Sequence, residues 1–183
     1  MFYKMFTIAI ARLLNLVYGY EAINILLRIS PSHCTISILR YFGAEIGEGV
    51  RIQAPFMIHN ADQTEPIYSN LKIGNDCYIG RDCLFDLMGK ISIGNKVTIS
   101  HRAVLNTHTD AGKSPLRNKQ LKVSKGDIKI SDGVYLGSNV TVLESVVIGS
   151  QSIIGAKSLV NRDIQDHVIA FGVPCKVQGP INT

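Results

Sequence analysis

The chain has 183 residues, 46% of them hydrophobic and 18% charged, so it can bury one sizeable core and is expected to form one domain. Its formal net charge is +5, and no run of basic residues is interleaved with aromatic ones, which argues against nucleic acid as a partner. The four cysteines lack the close-spaced pairs of a structural zinc site. We therefore predict no metal and free thiols, which suit a reducing cytoplasm.

Residues 1–29 are predicted to form two amphipathic helices divided near Gly19. The segment is rich in apolar residues, but charged and amide residues interrupt it before any apolar run reaches the ~20 residues of a spanning helix. It also lacks the cleavage pattern of a secretory signal. Its apolar faces are expected either to pack on the rest of the chain or on a neighbouring subunit, or to make peripheral contact with the inner face of the cytoplasmic membrane.

A third, shorter helix is expected to follow Pro31 and to end at Gly43, because proline suits the first turn of a helix and glycine its end. Residues 1–45 then form an α-helical N-terminal cap. Such a cap would cover the open end of the repetitive region that follows, as the terminal units of repeat proteins require.

A six-residue repeat occupies most of the chain from Ile46 onward. It is unbroken from Ile130 to Gln165, where it reads ISDGVY, LGSNVT, VLESVV, IGSQSI, IGAKSL and VNRDIQ. Each block starts with an aliphatic residue, and Gly often fills the second place, where it is expected to supply the backbone angles of a tight corner. A period of six fits neither a helix nor a simple strand. The fourteen blocks predict an all-β solenoid of between four and five coils over residues 46–177, followed by a tail, 178–183.

Two segments interrupt the repeat. Residues 55–72 break its register and are predicted to form a loop or a widened coil that carries His59. Residues 109–127 are polar and are expected to project from one corner as a loop, with His108 at its start. Five basic residues in this loop suggest a phosphorylated or nucleotide-linked acceptor, although a solvated loop accounts for them nearly as well: Lys113, Arg117, Lys119, Lys122 and Lys125.

The repeats, the histidine-bearing loop and the terminal AFGVPCKV resemble the hexapeptide-repeat acyltransferases, over Ile46 to Val177. The similarity is greatest to the maltose and galactoside O-acetyltransferases and to their relatives that acetylate surface polysaccharides. The resemblance implies a left-handed parallel β-helix, a homotrimer, and acetyl-CoA as the acyl donor, bound in the groove between adjacent subunits.

The same resemblance assigns roles to individual residues. His108 matches the catalytic histidine, while Asp86 and Tyr135 match positions of the acceptor pocket. Thr109 stands where the sugar enzymes commonly have Pro, and Lys176 replaces an arginine and so loses a planar fork for phosphate. The positions that match the CoA groove are Ser138, Ala156, Asn161, Arg162 and Lys176.

These residues predict an O-acetyltransferase that acts on a sugar hydroxyl, with a small-molecule or oligosaccharide acceptor from surface-polysaccharide biosynthesis. Histidine suits a general base because its unperturbed pKa lies near neutral pH. Three alternatives remain open at this point. They are N-acetylation of a nucleotide-linked amino sugar, a non-catalytic scaffold, and a zinc enzyme like the γ-type carbonic anhydrases, for which only His101 and His108 are candidate ligands in the central coils.

Overall fold

The structure is a computed structural model that describes residues 2–61, 66–117 and 119–181, with the side chains of residues 2–4 left out. It begins with three helices, and the helix break predicted near Gly19 is confirmed. Helix α2 packs on strand β3 (Phe56–His59), and α3 packs on β1 (Glu45–Ile46) and β2 (Arg51–Ile52), while α1 lies outside them on α2 and α3. The helices are α1 (Phe2–Tyr18), α2 (Tyr20–Ile29) and α3 (Ser32–Tyr41). None of the described helices is long and apolar enough to cross a bilayer.

The rest of the described chain winds through three parallel sheets, which form the sides of a left-handed β-helix as predicted. Sheet A contains β1, β4 (Leu71–Ile73), β7 (Ile91–Ile93), β12 (Ile128–Ile130) and β15 (Val147–Ile148). Sheet C contains β3, β6 (Cys83–Asp86), β9 (Val104–Leu105), β14 (Thr141–Val142) and β17 (Leu159–Val160). Sheet B contains β2, β5 (Tyr78–Ile79), β8 (Thr98–Ile99), β13 (Tyr135–Leu136), β16 (Ile153–Ile154), β18 (Val168–Phe171) and β19 (Lys176–Pro180).

The first place of each hexapeptide points inward and is buried. In sheet A the column runs through Ile46, Ile73, Ile93, Ile130 and Ile148, each paired in register with its neighbour. The fifth place also faces the core, so Cys77 and Cys83 are buried free thiols. Burial raises the pKa of both thiols, that of Cys83 to about 11, so they are protonated at neutral pH.

The predicted reason for the second-place glycines is wrong. The left-handed backbone at the corners belongs to the fourth place, for example at Asp76, Lys96 and Asn139, and the second-place glycines have ordinary φ angles. Where the second place is glycine, successive coils approach too closely for a side chain. A Cβ at Gly74 would lie 2.6 Å from the carbonyl oxygen of Gly94 in the next coil.

The two interruptions are more ordered than predicted. Residues 55–72 contain β3, and residues 62–65 of that segment lie outside the described part. The projecting loop is closed at its base by an antiparallel pair, β10 (His108–Thr109) and β11 (Ser124–Lys125). At the end of the chain β19 runs antiparallel to β18 and reaches Pro180, beyond the boundary at Val177 expected for the solenoid.

The close approach of the coils gives a direct test. We expect Gly74→Ala to lower the free energy of unfolding by about 1–3 kcal/mol, because the added methyl group meets backbone that cannot move aside cheaply. Gly179→Ala is the matched control, since no atom lies within 4 Å of its added Cβ. Urea unfolding of the two variants measures the difference, and equal stabilities would contradict the packing explanation.

Candidate active site

The candidate active site is built around Asp86, at the corner where sheet C turns toward sheet A, which we call the CA edge. Asp86 ends strand β6 and is 1% exposed. Asn60, which follows the neighbouring strand β3, donates from Nδ2 to Asp86 Oδ1 at 2.7 Å. Thr107, which follows β9, donates to Oδ2 from its backbone N–H at 2.9 Å and from its hydroxyl at 2.8 Å. Three stacked coils therefore converge on one buried carboxylate.

Asp86 is ionised in spite of its burial. Desolvation by itself would raise its pKa, but hydrogen bonds from the side chains of His108, Asn60 and Thr107, and from the backbone N–H of Met88, outweigh that effect and lower the pKa below 3.8. A charged carboxylate in a buried position is stable only with such partners. The corner is therefore a fixed negative charge at neutral pH.

His108 is oriented by this carboxylate. Its Nδ1 lies 2.6 Å from Asp86 Oδ2, and its side chain is 20% exposed. Because an ionised carboxylate only accepts hydrogen bonds, Nδ1 must carry a proton, so in the neutral imidazole the lone pair is on Nε2. The backbone carbonyl of His108 also accepts a hydrogen bond from Asn106 Nδ2 at 2.8 Å. This arrangement holds the imidazole in one orientation and leaves part of the ring accessible to a ligand.

Glu144, which follows β14 at the same edge, holds both strands at the base of the projecting loop. Its Oε1 accepts a hydrogen bond from Ser124 at 2.6 Å and a longer one from Thr109 at 3.4 Å. Its Oε2 is buried without a hydrogen-bond partner among the described residues. Since Thr109 directly follows His108, Glu144 supports the backbone that carries the imidazole.

The predicted site residues fall into two groups on different edges of one chain. Asn161 and Arg162 follow β17 at the CA edge, on the side where His108 and Asp86 lie, and both are exposed. Ser138 and Ala156 follow β13 and β16 at the corner between sheets B and C, which we call the BC edge. The structure stacks these last two in consecutive coils, since a Cβ at Gly137 would lie 2.6 Å from the backbone nitrogen of Ala156.

Two further predicted residues belong to sheet B. Tyr135 projects outward from β13, and its hydroxyl accepts a hydrogen bond from Ser100 at 3.2 Å. Lys176 begins β19 and pairs with Phe171. His101 lies at the BC edge, where its Nε2 is 3.0 Å from the hydroxyl of Ser138. Neither sheet B nor the BC edge meets the CA edge within one chain.

The projecting loop is exposed, and its basic residues point away from the solenoid core. Asp110 accepts a hydrogen bond from the backbone of Gly112 and forms an ion pair with Arg117 at 3.3 Å, so it does not orient His108. In the described ranges, no three His, Cys, Asp or Glu side chains are grouped in a way that could hold a metal ion.

Sequence reasoning missed three residues of this corner: Asn60, Thr107 and Glu144. In other coils the second place after a sheet C strand is also not glycine, as at Asn106 and Leu143, so the position of Asp86 in its block was no signal for the site. Asp86 is buried, and both of its carboxylate oxygens already accept hydrogen bonds. We therefore infer that Asp86 positions His108 and does not contact the acceptor directly. No sequence pattern distinguished Glu144 from the other polar residues at corners.

Comparisons with known proteins agree with this fold. A family profile described as bacterial transferase hexapeptide (six repeats) matches residues 127–162. The chain is 34% identical to a galactoside O-acetyltransferase of Lactococcus lactis over 147 residues, which cover 80% of this chain and 68% of that protein. It is 30% identical to the galactoside O-acetyltransferase of Escherichia coli over 146 residues, with the same coverage.

A solved structure of a galactoside acetyltransferase in complex with coenzyme A superposes with a TM-score of 0.73 at 25% identity, over 88% of this chain and 78% of that chain. The fold and the histidine-bearing corner define the class of a solenoid acyltransferase. With the identity and coverage of its relatives, the chain belongs to the hexapeptide-repeat acyltransferase family, and it is an acyltransferase.

Replacement of the buried carboxylate tests the arrangement. We expect Asp86→Asn to lower the free energy of unfolding by about 1–3 kcal/mol at neutral pH, because charge-assisted hydrogen bonds are lost. The folded-state pKa of Asp86 is below its unfolded value of 3.8, so its contribution is present above pH 3.8 and is lost as the pH falls through the folded-state pKa. Thermal melts of wild type and variant should therefore converge in acid.

Asp110→Asn is the control for this experiment, since Asp110 lies in the exposed loop and pairs only with Arg117 and loop backbone. Its melting temperature should stay near that of the wild type at every pH. A difference between wild type and Asp86→Asn that persists unchanged in strong acid would contradict the ionised state of Asp86.

Proposed function

We propose that the protein is an acetyl-CoA-dependent O-acetyltransferase that acetylates a sugar hydroxyl, with His108 as the general base. The observation that carries this proposal is the 2.6 Å contact between His108 Nδ1 and the buried carboxylate of Asp86. In the neutral imidazole it places the lone pair on Nε2 in a defined orientation, as proton abstraction from a hydroxyl requires. The names of two relatives, galactoside O-acetyltransferases that are 34% and 30% identical to this chain, support O-acetylation of a sugar.

In the proposed reaction, Nε2 of His108 accepts the proton of the acceptor hydroxyl while the oxygen attacks the thioester carbonyl carbon. Asp86 stabilises the imidazolium that forms, since its negative charge lies next to Nδ1–H. The tetrahedral intermediate then loses the CoA thiolate, which takes the proton from Nε2. The acetyl group ends on the sugar oxygen, and the histidine returns to its starting tautomer.

The donor is proposed to bind between two subunits of a homotrimer. Within one chain, the BC edge with Ser138 and Ala156 is separated from the CA edge with His108. A cyclic assembly with heterologous interfaces brings different edges of neighbouring chains together. His108 lies on one wall of the groove formed in this way. The residues assigned to coenzyme A come from both chains.

The acceptor is proposed to be a precursor of a surface polysaccharide, as the resemblance to polysaccharide acetyltransferases implies. Tyr135 supplies an outward aromatic face, which suits the apolar face of a sugar ring. The four buried free cysteines fit a reducing compartment, so we propose a cytoplasmic enzyme.

Replacement of the base tests the catalytic role. We expect His108→Ala to lower kcat by about 10²–10⁴-fold, because a positioned general base contributes that much, while the affinity for acetyl-CoA stays nearly unchanged. His33→Ala, in the exposed part of α3, is the matched control and should retain full activity. Calorimetric titration with acetyl-CoA measures binding separately from turnover on galactoside and amino-sugar acceptors.

Wild-type protein should bind acetyl-CoA with a Kd of about 1 mM or tighter, equivalent to about −4 kcal/mol. A folded trimer that shows no binding would contradict the transferase and favour a scaffold. If acetyl transfer to an amine is faster than transfer to a hydroxyl, the proposed activity is N-acetylation and not O-acetylation.

The shared groove predicts complementation between two inactive variants. Ala156→Trp should block the donor groove, since Ala156 is exposed and its replacement extends into that space. Co-refolded in equal amounts with His108→Ala, it should restore about one quarter of wild-type activity, because about one in four random interfaces combines an intact His108 with an intact Ala156. No recovery in confirmed mixed trimers would mean that each site lies within one chain.

A further inference from the structure

The outer side of helix α1 is apolar although nothing in the described chain covers it. Ala11 on the inner side is fully buried, whereas Leu16 is 84% exposed, Tyr18 73% and Met5 66%. The exposed residues recur at helical spacing and form one continuous face, which contains a single charged residue: Met5, Phe6, Ala9, Arg12, Leu13, Leu16 and Val17. A helix that is apolar on both sides needs an apolar neighbour on each side.

We propose that this face of α1 docks on the surface of an anionic lipid bilayer. Helix α1 has 17 residues and no described helix is suited to span a bilayer, so the helix would lie in the interface with its apolar side toward the acyl chains. Ile25 and Ile29 of the neighbouring helix α2 are also exposed apolar side chains.

The charge of the segment favours anionic lipid. Residues 1–20 include Lys4 and Arg12 and contain no Asp or Glu. Arg12 is exposed, and its guanidinium carbon lies 5.9 Å from the centre of the Tyr41 ring, so the cation is held at the border of the apolar face. Basic residues beside a membrane-bound helix gain energy from anionic headgroups. In a twofold dimer formed through this face, the Arg12 side chains of the two copies would be brought toward each other. Helix α1 supplies no carboxylate to pair with them.

The position of α1 in the fold also suits a planar partner. Helices α2 and α3 separate it from the solenoid, and α3 packs on β2, the terminal strand of sheet B. If the chain forms the proposed trimer, cyclic symmetry places three copies of the face at one level and with one orientation toward the axis. Simultaneous binding of three weak anchors raises the overall affinity for one surface. This step rests on the proposed trimer, whereas the apolar face itself does not.

Vesicle flotation of the full chain tests the proposal. We expect the wild type to float with vesicles of phosphatidylcholine and phosphatidylglycerol, to float less with phosphatidylcholine alone, and to be released partly by salt. Leu16→Glu should weaken the vesicle partition coefficient by about tenfold or more, because it removes a large apolar side chain and adds a negative charge. Val173→Glu, at a 72% exposed position in the turn between β18 and β19, at the opposite end of sheet B, is the matched control and should float like the wild type.

Light scattering measures the oligomer mass of each variant in parallel. Leu13→Ser provides a milder second variant if Leu16→Glu fails to fold. Wild-type protein that does not float with anionic vesicles would overturn the proposal, as would equal flotation of wild type and the folded α1 variants. A fall in oligomer mass caused by the α1 substitutions would also overturn it, since the face would then be an interface between copies. Activity and acetyl-CoA binding are measured separately, so a failure of the proposed function does not decide the outcome.

Discussion

The column of aliphatic side chains inside the solenoid is the constraint on which the rest of the structure depends. Most strands are only two or three residues long and cannot be stable alone, so each coil is held by the coils before and after it. A slip of one residue would turn Ile93 or Ile130 outward, which fixes the register of every corner. The close approach of the coils then requires glycine in the second place, at positions such as Gly74 and Gly94.

The candidate active site lies where this regular pattern is broken. The chain leaves the solenoid directly after Thr107 to form the projecting loop, and Asp86 lies in the coil that precedes this departure. The coils below and above supply the partners that such a buried charge needs, since Asn60 and Thr107 follow strands that pair with neighbouring strands of sheet C. A rigid repeat can therefore hold His108 at a corner with one ring orientation, which a free surface loop could not do.

The described chain leaves two kinds of surface that are incomplete without a neighbour. The residues assigned to the acyl donor are divided between the CA edge and the BC edge, and the outer face of α1 is apolar and uncovered. Both features follow from the same architecture. The edges of a solenoid are exposed along its whole length, and its end is covered by helices whose outer side is exposed in turn. Assembly with other chains, and contact with a bilayer, would complete these surfaces without any change in the coils.

The hexapeptide period by itself determined the solenoid, the inward places and the burial of Cys77 and Cys83, because each of these depends only on spacing along the chain. The resemblance to a known family added the left hand and attached a role to His108. The tertiary structure decided what spacing cannot encode: that Asp86 is buried against His108, and that Asn60 and Glu144 take part in the corner. These contacts join residues between 20 and 26 positions apart that meet only after the coils have stacked, so their geometry is a property of the stack and not of any local segment.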